Sequence, residues 1–317
     1  MPSGSDNRNH GLQKKVSAVG ISVVDHIMIV DGFKRGEGSF HCEEYYTEGG
    51  GMAATALCAA SKLGSRTRLF SRVGDDINAD FIVDGLTNYG IDISGIVKMP
   101  GTKSTVSFVI VDKTTGEKQF YSEWIKPPFL GKLELDISLL EGTDVLLVDG
   151  HWTEGALQAV RWANDARAPV VADFKRLYEG LESLFPYINY FIVPRFFAEE
   201  LTNCHDMPSI LEELSRIQAG MPIVTAGAGG GAYLMNGICG KYRSYSIECV
   251  DSTGAGDAFH GAFCHFLARG ADPARCLDLA SAAGALNCRD FGGRSALPST
   301  DELCGFLDSY GCDSSLP

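Results

Sequence analysis

The sequence predicts an α/β protein with a mostly parallel central sheet, helices on both faces and a small antiparallel β lid. Three observations predict it. From Val145 onward, short and wholly apolar strand-like runs alternate with helical stretches, as in a parallel sheet covered on both sides. Earlier segments alternate apolar and polar residues around turns, as antiparallel hairpins do. Glycine is in excess, 37 of 317 residues, and gathers at 49–51, 227–231, 254–256 and 292–293 beside apolar runs.

Each element has its own warrant. Val16 to Val24 is an apolar strand ending at Asp25. Ile27 to Val30 and Phe40 to Thr47 alternate, as do Thr105 to Val111 and Gln119 to Trp124 around a Thr114-Thr115-Gly116 turn. Ala53 to Leu63 is an alanine-rich helix closed by Gly64, and Thr67 to Val73 returns as a strand. Val145 to Asp149 precedes a helix near Glu154 to Ala166. Three further strands follow: Pro169 to Asp173, Tyr190 to Val193 and Pro222 to Thr225. Ligands of such sheets bind at the carboxyl ends of the strands, where Asp25, Asp149, Asp173 and Thr225 fall. Residues 1–15 read as a disordered lead without a signal-like apolar core, 16–311 as the α/β domain, and 312–317 as a loose tail. The lid occupies about 26–48 and 103–125.

Composition narrows the partners. With 27 basic and 40 acidic side chains the formal charge is −13, which argues against a nucleic-acid backbone or an anionic membrane. A small anion remains open, because a local nest of N–H groups can hold a phosphate on an acidic protein. No apolar stretch nears the roughly 18 residues of a membrane span. The ten cysteines form no Cys-x-x-Cys pair and most sit in apolar runs, so they read as buried thiols of a cytoplasmic protein.

The most informative stretch is Val250 to Ala262. Phe259, Phe263, Phe266 and Leu267 repeat at helical spacing, and Gly270 can end that helix. Gly254, Ala255 and Gly256 therefore lie at a helix N-terminus, offering unpaired N–H groups, no bulk and a favourable dipole. Such a turn suits charge developing on a phosphoryl group. Asp257 stands in the first turn, where a carboxylate can accept the proton of an attacking hydroxyl. For a bare Gly-x-Gly-Asp the alternative is a tight turn with an acid that only favours the helix dipole.

The full string Asp251-Ser252-Thr253-Gly254-Ala255-Gly256-Asp257, continuing to Phe259, Gly261 and Ala262, resembles the C-terminal signature of the ribokinase-like (PfkB) carbohydrate kinases. The resemblance extends to Val19-Gly20-Ile21 through Asp25, to Glu48 through Thr55 with Lys62-Leu63-Gly64, to Arg72 through Asp76, and to Thr225 through Gly230. Ala280 to Leu286 and Gly292-Gly293 resemble the helix and loop around the adenine and a structural monovalent cation. It implies ATP-dependent phosphoryl transfer to a sugar hydroxyl, with Mg2+ and a K+-like cation. Asp257 would be the base and residues 254–256 the anion hole. Asp25, Gly50, Gly51, Thr55 and His151 would meet the acceptor; Thr225, Gly227, Gly230, Ser281 and Lys175 would meet the nucleotide. Asp251 and Glu200 are the metal candidates.

Departures accompany the match. Thr55 stands where the family often has Asn, Met52 where ribokinases have Lys, and Ser281 where an adenine-side Asn is usual. The Asn-x-x-Glu that organises magnesium falls near Pro194-Arg195-Phe196-Phe197 and is absent in register, leaving Glu199 and Glu200 nearby. Gly-Gly-Gly-x-Ala-Ala-Thr and Gly-Gly-Arg-x-x-x-Pro look like the sulfofructose kinase branch, which ranks below a general pentose or hexose acceptor. His151 reads equally as a substrate contact or a buried, hydrogen-bonded histidine. Lys175 and Arg176 read as phosphate contacts or as a solvated loop pair. His26 reads as lid surface, Trp152 as core, and Tyr45, Tyr46, Phe120 and Tyr121 as packing or a dimer interface. The competing functions are a nucleoside kinase and a catalytically weak sugar- or nucleotide-binding protein. A nicotinamide enzyme fails because the glycine turn does not follow the first strand. A homodimer through the lid is expected.

Overall fold

A computed structural model describes residues 13–123 and 135–317. Strand β1 (Lys15–Val19) is buried throughout because it pairs in parallel with both β4 (Arg66–Val73) and β8 (Val145–Val148). Strands β5 (Asp92–Lys98), β9 (Val170–Asp173), β10 (Tyr190–Pro194) and β11 (Met221–Thr225) extend the parallel array. The hairpin of β12 (Gly231–Met235) and β13 (Ile238–Tyr242) closes one edge antiparallel. The order is β13-β12-β11-β10-β9-β8-β1-β4-β5.

Alternation along the strands feeds two cores. Leu147, Val171, Ile192 and Ile223 face α1 (Met52–Lys62), α6 (Ala255–Ala268) and α7 (Pro273–Asn287). Leu146, Val148, Val170, Phe191 and Val224 face α3 (Thr153–Ala166), α4 (Arg195–Thr202) and α5 (Met207–Ile217). Helix α2 (Ile77–Asn88) and α8 (Thr300–Ser309) join the first layer through Ile82, Leu86, Leu303 and Leu307. The alanine run of α1 lets α6 come close: a Cβ on Gly261 would lie 2.0 Å from the Ala56 carbonyl oxygen.

The lid is a second sheet ordered β3-β2-β6-β7, built from β2 (Val23–Val30), β3 (Glu44–Gly50), β6 (Val106–Asp112) and β7 (Lys118–Glu123). Both hairpins, β2–β3 and β6–β7, are antiparallel as expected, and a parallel β2–β6 contact joins them. Its inner face buries Ile27, Val109 and Val111, with Tyr46 packed against them.

Several boundaries differ from the sequence reading. The first apolar run is two strands: the chain leaves the main sheet after Val19 and enters the lid at Val23, so Asp25 stands in a lid strand. The break occurs because the buried Asp149 carboxylate captures the Ile21 N–H at 2.7 Å. Phe40 precedes β3 and is exposed. Lys15 belongs to β1, its ammonium donating to the carbonyls of Leu139 and Glu141, so the expected lead loses its last residue; residues 1–12 lie outside the described residues, as do Trp124 and residue 125 of the lid. The 312–317 tail is anchored. Leu316 packs on the core, and the carbonyls of Asp313, Ser315 and Pro317 accept from Arg275 and Arg269. All ten cysteines are free thiols, but only Cys58, Cys264, Cys276 and Cys288 are buried.

Candidate active site

The carboxyl ends of β1, β8 and β9 and the inner face of the lid converge on the N-terminus of α6. Gly254 caps this helix in the left-handed region (φ 70°), and a Cβ there would lie 2.4 Å from the Gly293 carbonyl oxygen. The Ala255 N–H donates to Ser252 O at 3.3 Å and the Ala258 N–H to Gly254 O at 2.8 Å. Of the three expected anion-hole amides, Ala255 is thus already engaged. Those of Gly254 and Gly256, and that of Asp257, meet no acceptor among the described residues. At Gly256 an added Cβ would meet nothing within 4 Å, so no protein neighbour demands glycine there.

Asp257 is nearly buried and receives Lys175 Nζ on Oδ1 at 2.8 Å. Burial opposes the charge on Lys175, but the carboxylates of Asp257 and Asp173 outweigh it and hold its pKa above the ordinary lysine value. Asp173, at the end of β9, is fully buried with neither oxygen hydrogen-bonded; His260 Nδ1 lies 3.5 Å away. Burial pushes its pKa up, against the pull of His260 and Lys175.

Of the residues expected to meet the acceptor, Asp25 and Gly50 lie on the paired lid strands β2 and β3, and Gly51 and Thr55 at the start of α1. Asp25 lies against Gly50 so closely that a Cβ there would sit 1.8 Å from Oδ2. Burial, reinforced by Glu48 and opposed by Arg294, raises the Asp25 pKa to about 7. Its carboxylate makes no hydrogen bond among the described residues. Gly51 (φ 97°) could not carry a side chain either, because its Cβ would lie 2.5 Å from Ile21 O. The loop is braced from below by the buried Arg294, whose Nη2 donates to Gly50 O at 2.8 Å and Nε to Thr55 Oγ1 at 3.1 Å. The Thr55 hydroxyl, expected to face the acceptor, instead serves this arginine. Asp149 Oδ2 also accepts from Ala53 N–H at 3.2 Å, tying β8 to the start of α1. His151 is held on both sides: Nδ1 donates to Asp149 Oδ1 at 3.2 Å and Nε2 accepts from the Tyr178 hydroxyl at 2.7 Å. It also lines a cavity of about 60 Å³ with Gly20, Ile21, Ser71, Arg72, Thr105 and Trp152. The imidazole is thus hydrogen-bonded at both ring nitrogens and still borders open space.

Of the residues expected to meet the nucleotide, Thr225, Gly227 and Gly230 stand at the end of β11, whereas Lys175 pairs with Asp257. Gly227 (φ 54°) and Gly230 (φ 77°) turn the chain after Thr225, and a Cβ on Gly230 would lie 2.5 Å from Tyr242 O. Ser281 reaches the same loop region by donating to Arg243 O at 2.7 Å.

The metal candidates fare differently. Glu200 is exposed on α4, its neighbour Glu199 is paired with Arg195 at 2.7 Å, and no three His, Cys, Asp or Glu side chains form a metal cluster among the described residues. Asp251 has a filled coordination. Oδ1 accepts from Lys118 Nζ at 2.9 Å, Thr253 N–H at 2.9 Å and Thr253 Oγ1 at 2.8 Å, while Oδ2 accepts from Gly292 N–H at 2.9 Å. A K+-like cation does not fit this carboxylate, because an ammonium already neutralises it. Burial opposes its charge, but Gly292 N–H and Lys118 hold the pKa below the usual carboxylate value.

Lys118 and Tyr178 were not singled out from the sequence, Glu48, His260 and Arg294 only as parts of longer patterns, and Asp149 only by its place at a strand end. Nothing in the sequence around Lys118 marks it; the lid hairpin alone brings it to residue 251.

Buried carboxylates, the Lys175 ammonium and unengaged helix-end amides thus gather at the N-terminus of α6 on a doubly covered α/β sheet. Residues 13–300 match the pattern of the pfkB family carbohydrate kinases, and the chain belongs to that family. A deoxyribokinase of Salmonella typhi is 22% identical over 306 residues, covering 92% of this chain and 98% of its own length. Probable fructokinase-5 of Arabidopsis thaliana is 25% identical over 233 residues, 68% of this chain and 72% of that protein. A crystal structure from Agrobacterium tumefaciens, provisionally named a ribokinase, superposes with a TM-score of 0.89 at 30% identity, covering 94% of this chain and 98% of that one. The Arabidopsis thaliana ribokinase complexed with ribose and ATP gives 0.81 at 18% identity over 93% and 99% of the two chains. The protein is a carbohydrate kinase with the ribokinase fold.

Proposed function

We propose that the protein transfers the γ-phosphoryl group of MgATP to a hydroxyl of a small pentose or hexose. The observation that carries this reading is the pairing of the Asp257 carboxylate with the unengaged amides of Gly254 and Gly256. The acceptor hydroxyl, oriented by Asp25 and the Gly50–Gly51 backbone, gives its proton to Asp257 as its oxygen bonds to the γ-phosphorus. The bond to the β–γ bridging oxygen breaks and ADP leaves. Charge developing on the transferred group is met by the amides and by the positive end of α6. Lys175, cationic and held on Asp257 Oδ1, supplies positive charge for the phosphate oxygens beside the base. Thr225, Gly227, Gly230 and Ser281 line the nucleotide side. Mg2+ asks for only one or two carboxylates beside phosphate oxygens and waters, so it enters with the nucleotide rather than in a protein cage.

The cavity by His151 favours a sugar over a nucleoside. It is rimmed by Ser71, Arg72, Thr105 and His151, and its indole, Trp152, is covered by the Arg72 guanidinium at 5.0 Å. A base would find that indole already stacked against a cation. The lid also supports a homodimer. Cross-strand register aligns His26, Phe108 and Tyr121 on its outer face, where Phe108 and Tyr121 are exposed.

The test is an ADP-release assay with MgATP over ketoses, aldoses, deoxy-sugars, sulfo-sugars and nucleosides. Transfer to a free sugar supports the reading. ADP release with no acceptor, or with nucleosides alone, overturns it.

A further inference from the structure

We infer that Lys118 is a built-in cation that holds the phosphate-binding loop and ties it to the lid, replacing a dissociable monovalent ion. This rests on the kinase reading above and concerns the loop that precedes its anion hole.

Lys118 opens β7, the lid strand whose register sets it opposite Val111 on the inner face. Its ammonium lies 2.9 Å from Asp251 Oδ1 and 3.0 Å from both Ser252 Oγ and Thr253 Oγ1. Those three acceptors satisfy the three donors of a lysine ammonium. The Asp251 side chain is fully buried, and a lone charge there would be costly unless paired. Asp251 is therefore committed to Lys118, and its second oxygen to the Gly292 N–H. The same loop continues into Gly254, which the Gly293 carbonyl contacts, and Asn287 Nδ2 donates to Thr253 O at 3.1 Å and Gly293 O at 3.1 Å. One ammonium thus fixes the turn that aims the α6 amides. Because that ammonium belongs to the lid, displacing β7 withdraws the charge from beneath the anion hole. A free K+ in this position would have to displace Lys118. Lys118 is a positioning residue, acting through the 251–254 loop rather than on substrate.

The experiment compares wild type, Lys118→Met and Lys118→Arg in potassium chloride and in tetramethylammonium chloride at equal ionic strength. It reads melting temperature and, with the best acceptor and MgATP, kcat and KM. Wild type should show the same melting temperature and rate in both salts. Lys118→Met should lose about tenfold or more in kcat, with both KM values changing less, because the amides it aims act mainly on the transition state. K+ should then raise both the rate and the melting temperature of that variant, since the vacated carboxylate can bind it. Lys118→Arg should retain cation-independence.

A wild type that depends on K+ for rate or melting temperature overturns the inference, and this arm needs no variant to fold. So does a Lys118→Met enzyme with unchanged kcat, or one that is impaired but indifferent to K+. Wild type inactive on every acceptor would instead refute the proposed function, and the melting-temperature comparison would still decide the role of Lys118.

Discussion

Replacing Asp25 with Asn separates stability from function at one atom pair. The folded protein raises the Asp25 pKa from 3.8 to about 7, burial being the main cause. Folding therefore favours the protonated acid, and the cost of the charge is absent below pH 4 and complete above pH 7. At about 1.4 kcal/mol per pH unit the complete cost is about 4 kcal/mol. Asparagine carries no charge but must still desolvate an amide, so it should recover about half of that. Near pH 8 the variant should be more stable than wild type by about 2 kcal/mol, a rise of a few degrees in melting temperature. Lowering the pH to 5 protonates Asp25 in the folded wild type, and the advantage should disappear. In steady-state assays the acceptor KM should rise about 10- to 100-fold, since hydrogen bonds to a charged group are lost, with ATP KM nearly unchanged. The matching pH profile is a fall in acceptor kcat/KM of wild type as pH drops below about 7. A variant less stable at pH 8, or equal changes in both KM values, would refute the reasoning.

Other substitutions address the remaining parts. Asp257→Ala should lower kcat about a thousandfold while leaving ATP affinity, measured by calorimetry, almost intact; near wild-type turnover would remove it as the base. Gly254→Ala should cost about 2 kcal/mol or more, from a left-handed φ of 70° and a Cβ 2.4 Å from Gly293 O, and should appear as a lower melting temperature and a lower kcat. If the proposed lid dimer forms, wild type should scatter light as a dimer and Phe108→Asp, on the outer lid face, as a monomer with an undisturbed fold, because Phe108 is exposed.

The helical spacing of Phe259, Phe263, Phe266 and Leu267 implied a local arrangement that the folded chain contains. Gly254 does cap α6, Gly270 does follow its end with φ 85°, and Asp257 does occupy its first turn. The apolar runs from Val145 onward became parallel strands at nearly the expected bounds, because a strand buried on both faces must be apolar throughout. Glycine spacing, apolar periodicity and helix ends are short-range properties, written within a few residues of where they act.

What the chain could not declare by itself depends on partners distant in sequence. Asp25 reads as the end of a core strand until Asp149, 128 residues past Ile21, takes that residue's N–H and turns the chain into the lid. Thr55 reads as an acceptor contact until Arg294, 239 residues on, claims its hydroxyl. Asp251 reads as a cation ligand until the lid hairpin delivers Lys118 to it. A carboxylate or hydroxyl has the same identity whether it faces substrate, metal or an internal cation. Only tertiary packing decides which donor reaches it first.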